Sequence, residues 1–159
     1  MKFEAPPGVW DKEPDYAKFT HAGLKCVVRR NSFGAWCGYV KLPPGNLLNT
    51  IKRIEQRREY SPLFKKLRGG IGYNAKVLRG VSVHGGLTYI GKLRRDTGGV
   101  ERGLWLGFDC AHSCDFVPKM AHFAFADQSQ YRDMTFVIDE TSSLAEQVKI
   151  LSSGNEGMK

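Results

Sequence analysis

The segment Gly103-Leu-Trp-Leu-Gly-Phe-Asp-Cys110 is the most apolar stretch of the chain. A short apolar run of this length predicts a strand that is buried on both faces and that therefore lies inside a sheet. Polar and reactive side chains follow it at once, in the run Asp109-Cys-Ala-His-Ser-Cys-Asp115. Because loops at the end of a buried strand often carry chemistry, we predict a functional site there.

The apolar pattern elsewhere predicts an α+β domain with a largely antiparallel sheet. Leu24, Cys26 and Val28 alternate with the intervening residues, which predicts a strand at 24–30 with one solvated face. Further strands are predicted at 34–42, 78–84 and 87–90. Apolar residues recur every three or four positions from about 130 to 151, which predicts a long C-terminal helix packed across the sheet.

We expect one domain over residues 1–159, with three less regular parts. Proline and glycine residues interrupt any period in residues 1–23, so an irregular arm is predicted there. Residues 46–77 are predicted to form a basic helical insertion that begins at the capping residue Asn46. Residues 152–159 are predicted to form a loose tail.

The charge balance favours an anionic partner. Lysine and arginine number 24 against 16 acidic residues, which gives a net charge of +8. Nine of the basic residues lie between positions 52 and 79, where only two acidic residues accompany them. Most of the excess charge therefore belongs to the predicted insertion.

The composition predicts a cytoplasmic protein without membrane association. Hydrophobic residues make up 42% of the chain and charged residues 25%, as in soluble globular proteins. No apolar run approaches the roughly 18 residues that a membrane span needs, and the first residues do not resemble a secretory signal. The four cysteines show no Cys-x-x-Cys pattern, and we expect them to be reduced thiols.

A second polar motif, His84-Gly-Gly-Leu-Thr-Tyr89, is predicted to face the first across neighbouring strands. Imidazoles, glycine amides, a threonine hydroxyl and nearby arginines are groups that bind phosphate, and a tyrosine ring can stack on a base. No cofactor is expected. The predicted ligand-binding residues are His84, Gly85, Gly86, Thr88, Tyr89, Asp109, His112, Asp115, Arg79 and Arg94.

Other chemistries remain open at the same residues. In an enzyme, His84 and His112 would serve as acid and base while Asp109 fixes a tautomer. A metal ion is not expected, although these three residues with Asp115 could ligate a hard cation, and the neighbouring cysteines would suit zinc. A cysteine nucleophile beside a histidine is a further alternative.

The two motifs together resemble those of small bacteriophage proteins, most of them uncharacterised. The likeness rests on residues 84–89, on residues 105–112 with Asp115, and on Ser143-Leu-Ala-Glu-Gln147 in the terminal helix. The chain departs from this pattern in its insertion at 46–77. The resemblance implies a phage product acting in the cytoplasm of an infected bacterium, where proteins of this size often counter host defence.

The resemblance and the charge balance lead to three predicted functions. The first is an accessory protein that binds and sequesters a small anionic nucleotide-like ligand, such as a host immune signal. The second is a hydrolase or transferase that acts on such a ligand by histidine and aspartate acid–base chemistry. The third is nucleic-acid binding through the basic segment 52–79. Homo-oligomer formation stays open in each case, because ligand sites are often built between subunits.

Overall fold

The computed structural model describes residues 7–56, 78, 80–95, 97–120 and 129–154 of the chain. The helices in these ranges are α1 (Asn46–Gln56) and α2 (Met134–Gly154), with short 3-10 helices at Val9–Lys12 and Pro118–Met120. The strands are β1 (Tyr16–His21), β2 (Leu24–Arg30), β3 (Trp36–Lys41), β4 (Tyr89–Gly91), β5 (Trp105–Asp109), β6 (Asp115–Phe116) and β7 (Gln130–Tyr131).

The first five strands form one sheet in the order β1-β2-β3-β5-β4, with antiparallel neighbours throughout. Helix α2 packs across β2 and β3 on one face of this sheet. The predicted α+β fold, with a C-terminal helix across an antiparallel sheet, is therefore confirmed. β5 lies between β3 and β4, and Trp105, Leu106 and Phe108 are buried, as predicted for an internal strand.

Helix α2 covers the sheet with a single apolar stripe, which meets Val28, Val40 and other buried residues of the sheet. The helix begins where Asp133 caps it, because the Phe136 amide donates to Asp133 Oδ1 at 2.8 Å. The buried residues of the stripe are Val137, Thr141, Leu144, Ala145 and Val148.

A glycine in β3 allows α2 to approach the sheet closely. A Cβ atom on Gly38 would lie 2.1 Å from Thr141 Oγ1 and 2.5 Å from Phe108 Cε1. The Thr141 hydroxyl is itself buried and donates to the Val137 carbonyl at 2.6 Å, so its polar atom is satisfied within the helix. The helix and the sheet can therefore meet at this point only because residue 38 has no side chain.

Strand β1 lies inside the segment that we predicted to be an irregular arm. Residues Tyr16–His21 pair with residues 24–29 of β2, through a two-residue turn at Ala22 and Gly23. Both turn residues have positive φ, 51° and 76°, which is the geometry of a tight hairpin. The tight turn, rather than strong apolar alternation in β1, fixes this strand against β2.

The predicted strand at 78–84 is not seen in the described residues of that range, 78 and 80–84. Instead, side chains of α2 bind the backbone of this segment: the Ser82 amide donates to Gln147 Oε1 at 2.7 Å, and Gln147 Nε2 donates back to the Ser82 carbonyl at 2.7 Å. The His84 amide donates to Glu140 Oε2 at 2.9 Å. These bonds replace those of a neighbouring strand, so the alternating pattern of the sequence was misleading here.

Other predicted boundaries shift by a few residues. Gln130–Tyr131 form β7, so the terminal helix begins at Met134 and runs through Gly154, into the segment predicted as a tail. Of the predicted insertion, α1 contains residues 46–56, and Lys52 and Arg53 are exposed on it. Residues 57–77, which carry most of the predicted basic segment, and residues 155–159 of the predicted tail lie outside the described ranges. Within the described part of the chain, no helix combines the length and apolarity that crossing a membrane requires.

We expect Gly38→Ala to lower the free energy of unfolding by about 1–3 kcal/mol, because the added methyl group would overlap Thr141 and Phe108. Urea unfolding followed by circular dichroism measures this change. Gly154→Ala is the matched control, since no atom lies within 4 Å of a Cβ at that position, near the end of α2. An unfolding free energy unchanged in Gly38→Ala would show that the helix does not need this close approach.

Candidate functional site

A buried carboxylate, Asp115, lies just beyond the end of β5, and its side chain is fully excluded from solvent. His84 Nε2 lies 2.8 Å from its Oδ1 atom, His112 Nδ1 lies 3.0 Å from Oδ2, and Arg132 Nε lies 3.0 Å from Oδ1. The backbone amide of His112 also donates to Oδ2, at 2.9 Å. We call Asp115, His84, His112 and Arg132 the Asp115 cluster.

Local backbone geometry brings the cluster together. A turn closes where the Asp115 amide donates to the His112 carbonyl at 2.9 Å, and the pairing of β6 with β7 then places Arg132 beside the carboxylate. Gly85 has a φ of 68°, and a Cβ atom there would lie 2.0 Å from Cε1 of His112. Glycine is therefore required at position 85 both by the backbone and by the neighbouring ring.

The hydrogen bonds of the cluster keep Asp115 ionised. Burial alone would raise the pKa of this carboxyl, but the bonds from the His112 amide, His84, Arg132 and the His112 ring together hold the pKa below its usual value. A carboxylate offers about four acceptor positions, and these donors occupy them. Asp115 therefore orients its neighbours and is not available as a base.

His112 keeps one ring nitrogen for other partners. Because an ionised carboxylate only accepts hydrogen bonds, the proton on Nδ1 points to Asp115, and Nε2 is an acceptor in the neutral ring. Nε2 lies 3.9 Å from Asp109 Oδ1, and the side chain of His112 is 30% exposed. Asp109 in turn accepts hydrogen bonds from the Thr88 hydroxyl and the Ala111 amide, both at 3.1 Å. His112, Asp109 and Thr88 thus form a polar, partly exposed edge beside the cluster.

The structure brings together part of the predicted ligand site. His84, His112 and Asp115 are in direct contact, with Gly85 against His112 and with Thr88 bonded to Asp109.

Three other predicted ligand residues do not join this arrangement. Gly86 does not offer its amide, because that amide donates to the carbonyl of residue 83 at 2.8 Å. Tyr89 packs edge-on against Tyr39 with a centroid separation of 5.5 Å, and Arg94 lies in a hairpin bridged to residue 100. Arg79 lies outside the described residues.

Arg132 is a member of the cluster that we did not single out from the sequence. It lies 17 residues after Asp115, in a segment without a recognisable motif, and only the short β6–β7 pairing brings it back. No local sequence pattern predicts this contact between Arg132 and Asp115. The nearest signal is the excess of basic residues, which does not distinguish Arg132 from the others.

The cluster fits a metal ion poorly. The candidate ligand atoms of His84, Cys114 and Asp115 lie within 4.8 Å of one another. However, the Arg132 guanidinium already occupies Asp115 Oδ1, and its positive charge opposes a cation at that point. Thiol chemistry is also disfavoured at Cys110, because burial strongly raises the pKa of its thiol.

The sheet face opposite α2 is the second polar feature of the molecule. Side chains alternate along each strand, so the register aligns Lys18 with Val27 and Tyr39, and Lys41 with Trp105, on this face. We call it the open face. Its charged and aromatic members on the strands include Tyr16, Lys18, Lys25, Arg29, Tyr39, Lys41, Tyr89 and Trp105.

The first of two clefts on the open face, the Lys25 cleft, has a volume of about 340 Å³. Lys18, Lys25, Lys41 and Trp105 contribute to its lining. The indole Nε1 of Trp105 is buried and has no hydrogen-bond partner among the described residues. A buried donor without an acceptor is costly, and this donor is a local weakness of the packing on this face.

The second cleft, the Arg94 cleft, has a volume of about 380 Å³ and adjoins the first. Arg29, Arg94 and Arg95 line this cleft alone, whereas Tyr16 and Lys18 line both clefts. Each cleft therefore combines several cationic groups with the ring of Tyr16. The sequence pattern did not reveal the shared residues, because we had assigned positions 16–21 to an irregular arm.

Glu101 is the one acidic residue in the described lining of either cleft, and it lines both. Its carboxylate pairs with Arg95 at 3.1 Å. The hydrogen bond from Arg95, with the positive charges of Arg95, Lys18 and Lys25, lowers the pKa of Glu101. The carboxylate therefore occupies the cationic surface in the way that a bound anion would.

We expect Asp115→Ala to lower the free energy of unfolding by about 3–5 kcal/mol at pH 7, because Arg132 and two histidines lose their buried acceptor. The lowered folded-state pKa gives the sign of the pH dependence. The stabilisation of the folded protein by ionised Asp115 is complete above the unfolded pKa of about 3.9. It is lost as the pH falls through the lower pKa of the folded state. Urea unfolding between pH 7 and pH 3 should show a constant difference between the two proteins down to about pH 4 and a narrowing difference below it.

Asp139→Ala removes an exposed carboxylate of α2 and serves as the control, with an expected change below about 0.5 kcal/mol. If Asp115→Ala changed the unfolding free energy as little as Asp139→Ala, the cluster would not be a structural centre.

No family model, curated protein or solved structure matches this chain. The resemblance to small bacteriophage proteins therefore rests on the sequence motifs alone, at residues 84–89 and 105–112 and in the terminal helix.

Proposed function

We propose that this protein binds a small anionic nucleotide-like ligand on the open face of its sheet and acts by withholding it. The observation that carries this proposal is the pair of clefts in which lysines and arginines adjoin the exposed ring of Tyr16. Exposed cations bind phosphate, and the ring of Tyr16, which is 39% exposed, offers a surface on which a base can stack. The net charge of +8 adds a favourable long-range field.

The size of the clefts supports a small ligand. Volumes of about 340 and 380 Å³ lie at the lower end of the range for small-molecule sites. The site of this proposal differs from the one predicted from the sequence, because Asp115 and its partners satisfy one another. The ligand would instead meet Lys18, Lys25 and Arg94, with Asp109 and His112 at the edge of the surface.

A protein that sequesters a ligand must bind it tightly and must not cleave it. In the setting that the bacteriophage resemblance implies, the ligand would be a host immune signal, and the protein an anti-defence factor of the infected cytoplasm. The basic open face would then compete with a host receptor for the same phosphates.

We expect Lys18→Ala to weaken nucleotide binding about tenfold, because Lys18 lines both clefts and a charge-assisted hydrogen bond contributes about 1.5–3 kcal/mol. Isothermal titration calorimetry with a panel of nucleotides measures this effect. After binding, heat denaturation of the complex should release the ligand intact, as mass spectrometry would show. Release of a cleaved product would rule out sequestration.

Two control variants sharpen the test. Lys149→Ala removes a lysine from α2, on the other side of the sheet, and should leave the affinity unchanged. Glu101→Gln removes the internal carboxylate of the clefts and should raise the affinity, because the ligand no longer competes with it. If Lys18→Ala and Lys149→Ala weakened nucleotide binding equally, the ligand would not bind in the two clefts of the open face.

A second candidate function, acid–base catalysis on the same class of ligand, is favoured by the geometry of His112. Asp115 orients its ring through Nδ1 at 3.0 Å, and Nε2 is left facing Asp109 at 3.9 Å. A carboxylate-oriented imidazole of this kind is a general base. Asp109 pairs in register with Cys37, which pairs with Arg29, so Asp109 shares one row of the open face with Arg29 of the Arg94 cleft.

If the protein is such a hydrolase or transferase, His112→Asn should reduce turnover at least 100-fold and leave nucleotide affinity within about twofold. Chromatography of the products measures turnover. His21→Asn is the matched control, because His21 also pairs with a carboxylate, Glu146 at 2.8 Å, but away from the site. Absence of turnover in the unmodified protein, or full turnover in His112→Asn, would reject this candidate.

A further inference from the structure

Two lysines of the Lys25 cleft lie directly opposite each other on neighbouring strands. The register of β2 and β3 pairs Cys26 with Val40, and the next residues in this register are Lys25 and Lys41. Both lysines line the cleft, so both side chains point to the open face. Side chains in such positions have Cβ atoms about 4.5–5.5 Å apart, and like charges placed there destabilise a sheet. An anion between the two ammonium groups would therefore stabilise the pair.

Two polar residues of β1 extend this pair. Thr20 pairs with Lys25. Lys18 pairs with Val27, two residues further along β2, and so lies on the diagonal from Lys25. Diagonal neighbours are about 7–8 Å apart, which long side chains can span. Thr20 and Lys18 are exposed and line the Lys25 cleft, so three ammonium groups and one hydroxyl can reach one small anion. We call Lys18, Lys25 and Lys41 the lysine triad.

The lysine triad has no internal counter-ion. Among the described residues, no carboxylate forms an ion pair with any of its three members. The acidic residue of the cleft, Glu101, is paired with Arg95 at 3.1 Å. Arg29 of the neighbouring cleft is also engaged, because its guanidinium donates to the Arg94 carbonyl and lies over the Tyr39 ring. The lysines of the triad, unlike these arginines, are thus left for a ligand to neutralise.

A glycine in the loop before β5 makes room for one lysine of the triad. A Cβ atom on Gly103 would lie 2.7 Å from Lys41 Cε, so the stem of this lysine runs directly over the glycine. Gly103 also has a φ of 88°, a conformation that residues with side chains rarely adopt. Packing against the loop restricts the Lys41 side chain, which reduces the entropy that it loses when a ligand binds.

The charge of the lysine triad favours a phosphate with two negative charges. A phosphate monoester carries about −1.5 to −2 charges at neutral pH, whereas a diester carries about one. Electrostatic attraction is proportional to the charge of the ligand, so a monoester is bound more strongly than a diester at the same position. A monoester also has three free oxygens that accept charge-assisted hydrogen bonds, and a diester has fewer.

We infer that the lysine triad and Thr20 form a site for a terminal phosphate group, so that the ligand of the open face is a phosphate monoester and not a cyclic or internal phosphodiester. This inference rests on the proposed function, because it narrows the class of nucleotide-like ligand on the same surface. The phosphate would lie between Lys25 and Lys41, and the Thr20 hydroxyl would donate to it.

Matched pairs of ligands test the charge requirement on the full-length protein. Phosphorus NMR titration compares methyl phosphate with dimethyl phosphate, and calorimetry compares a nucleoside monophosphate with the cyclic phosphodiester of the same nucleoside. We expect each monoester to bind about tenfold more tightly than its diester, because it carries about one more negative charge. Methyl phosphate has no base, so its binding reports on the phosphate site alone.

Variants of the triad test the position of the phosphate. Lys25→Gln and Lys41→Gln should each weaken methyl phosphate binding about tenfold, and Lys149→Gln, on α2, should leave it unchanged. Lys25→Arg keeps the charge and should retain binding to within about threefold. Because Lys25 and Lys41 repel each other, neither glutamine variant should lower the thermal unfolding temperature of the ligand-free protein. A lower unfolding temperature with unchanged phosphate binding would show that these lysines are structural.

The outcomes separate this inference from the function on which it rests. Equal binding of monoesters and diesters would overturn the terminal-phosphate site but leave nucleotide binding intact. Binding of methyl phosphate without binding of any nucleotide would overturn the proposed function and keep the phosphate site. If no ligand bound, both would be wrong. If methyl phosphate bound equally to the parent protein and to both glutamine variants, the triad would not be its site.

Discussion

The packing of α2 on one face of the sheet is the constraint on which the rest of the structure depends. Because strand side chains alternate, covering one face sorts the residues of every strand into an inner and an outer set. Val28 and Val40 face the helix, whereas Lys25, Arg29 and Lys41 lie on the opposite face. The close contact at Gly38 holds this arrangement in place. The cationic surface is thus a direct consequence of where the helix lies.

At the end of the sheet, a buried carboxylate holds the loop segments in place. Asp115 links the loop that carries His84, the turn of His112 and the segment of Arg132 immediately before α2. Few apolar contacts are available to such short loops, so charge-assisted hydrogen bonds hold them together. The same bonds fix the orientation of the His112 ring, which is 30% exposed.

The sequence was sufficient to predict the fold class and the members of the polar cluster that lie in the two motifs. The predictions succeeded where a local period exists, as at Leu24, Cys26 and Val28 of β2 and along α2. They failed where long-range partners decide the structure. Ser82 looks like a strand residue but is bound by Gln147 of α2, and Arg132 reaches Asp115 only through the β6–β7 pairing. Such contacts leave no period in the sequence.

Asp109 lies both on the open face and beside the Asp115 cluster. Its negative charge makes one end of the open face electrostatically different from the other. In the proposed complex, Asp109 would repel phosphate, whereas Lys18 and Lys25 would attract it, so the phosphates would lie over β1 and β2. Hydrogen-bond donors of the ligand, such as sugar hydroxyls or base amino groups, would then lie toward Asp109 and the acceptor nitrogen of His112. Sequestration and catalysis would thus share one binding orientation, and they would differ in whether a reactive atom comes within reach of His112 Nε2.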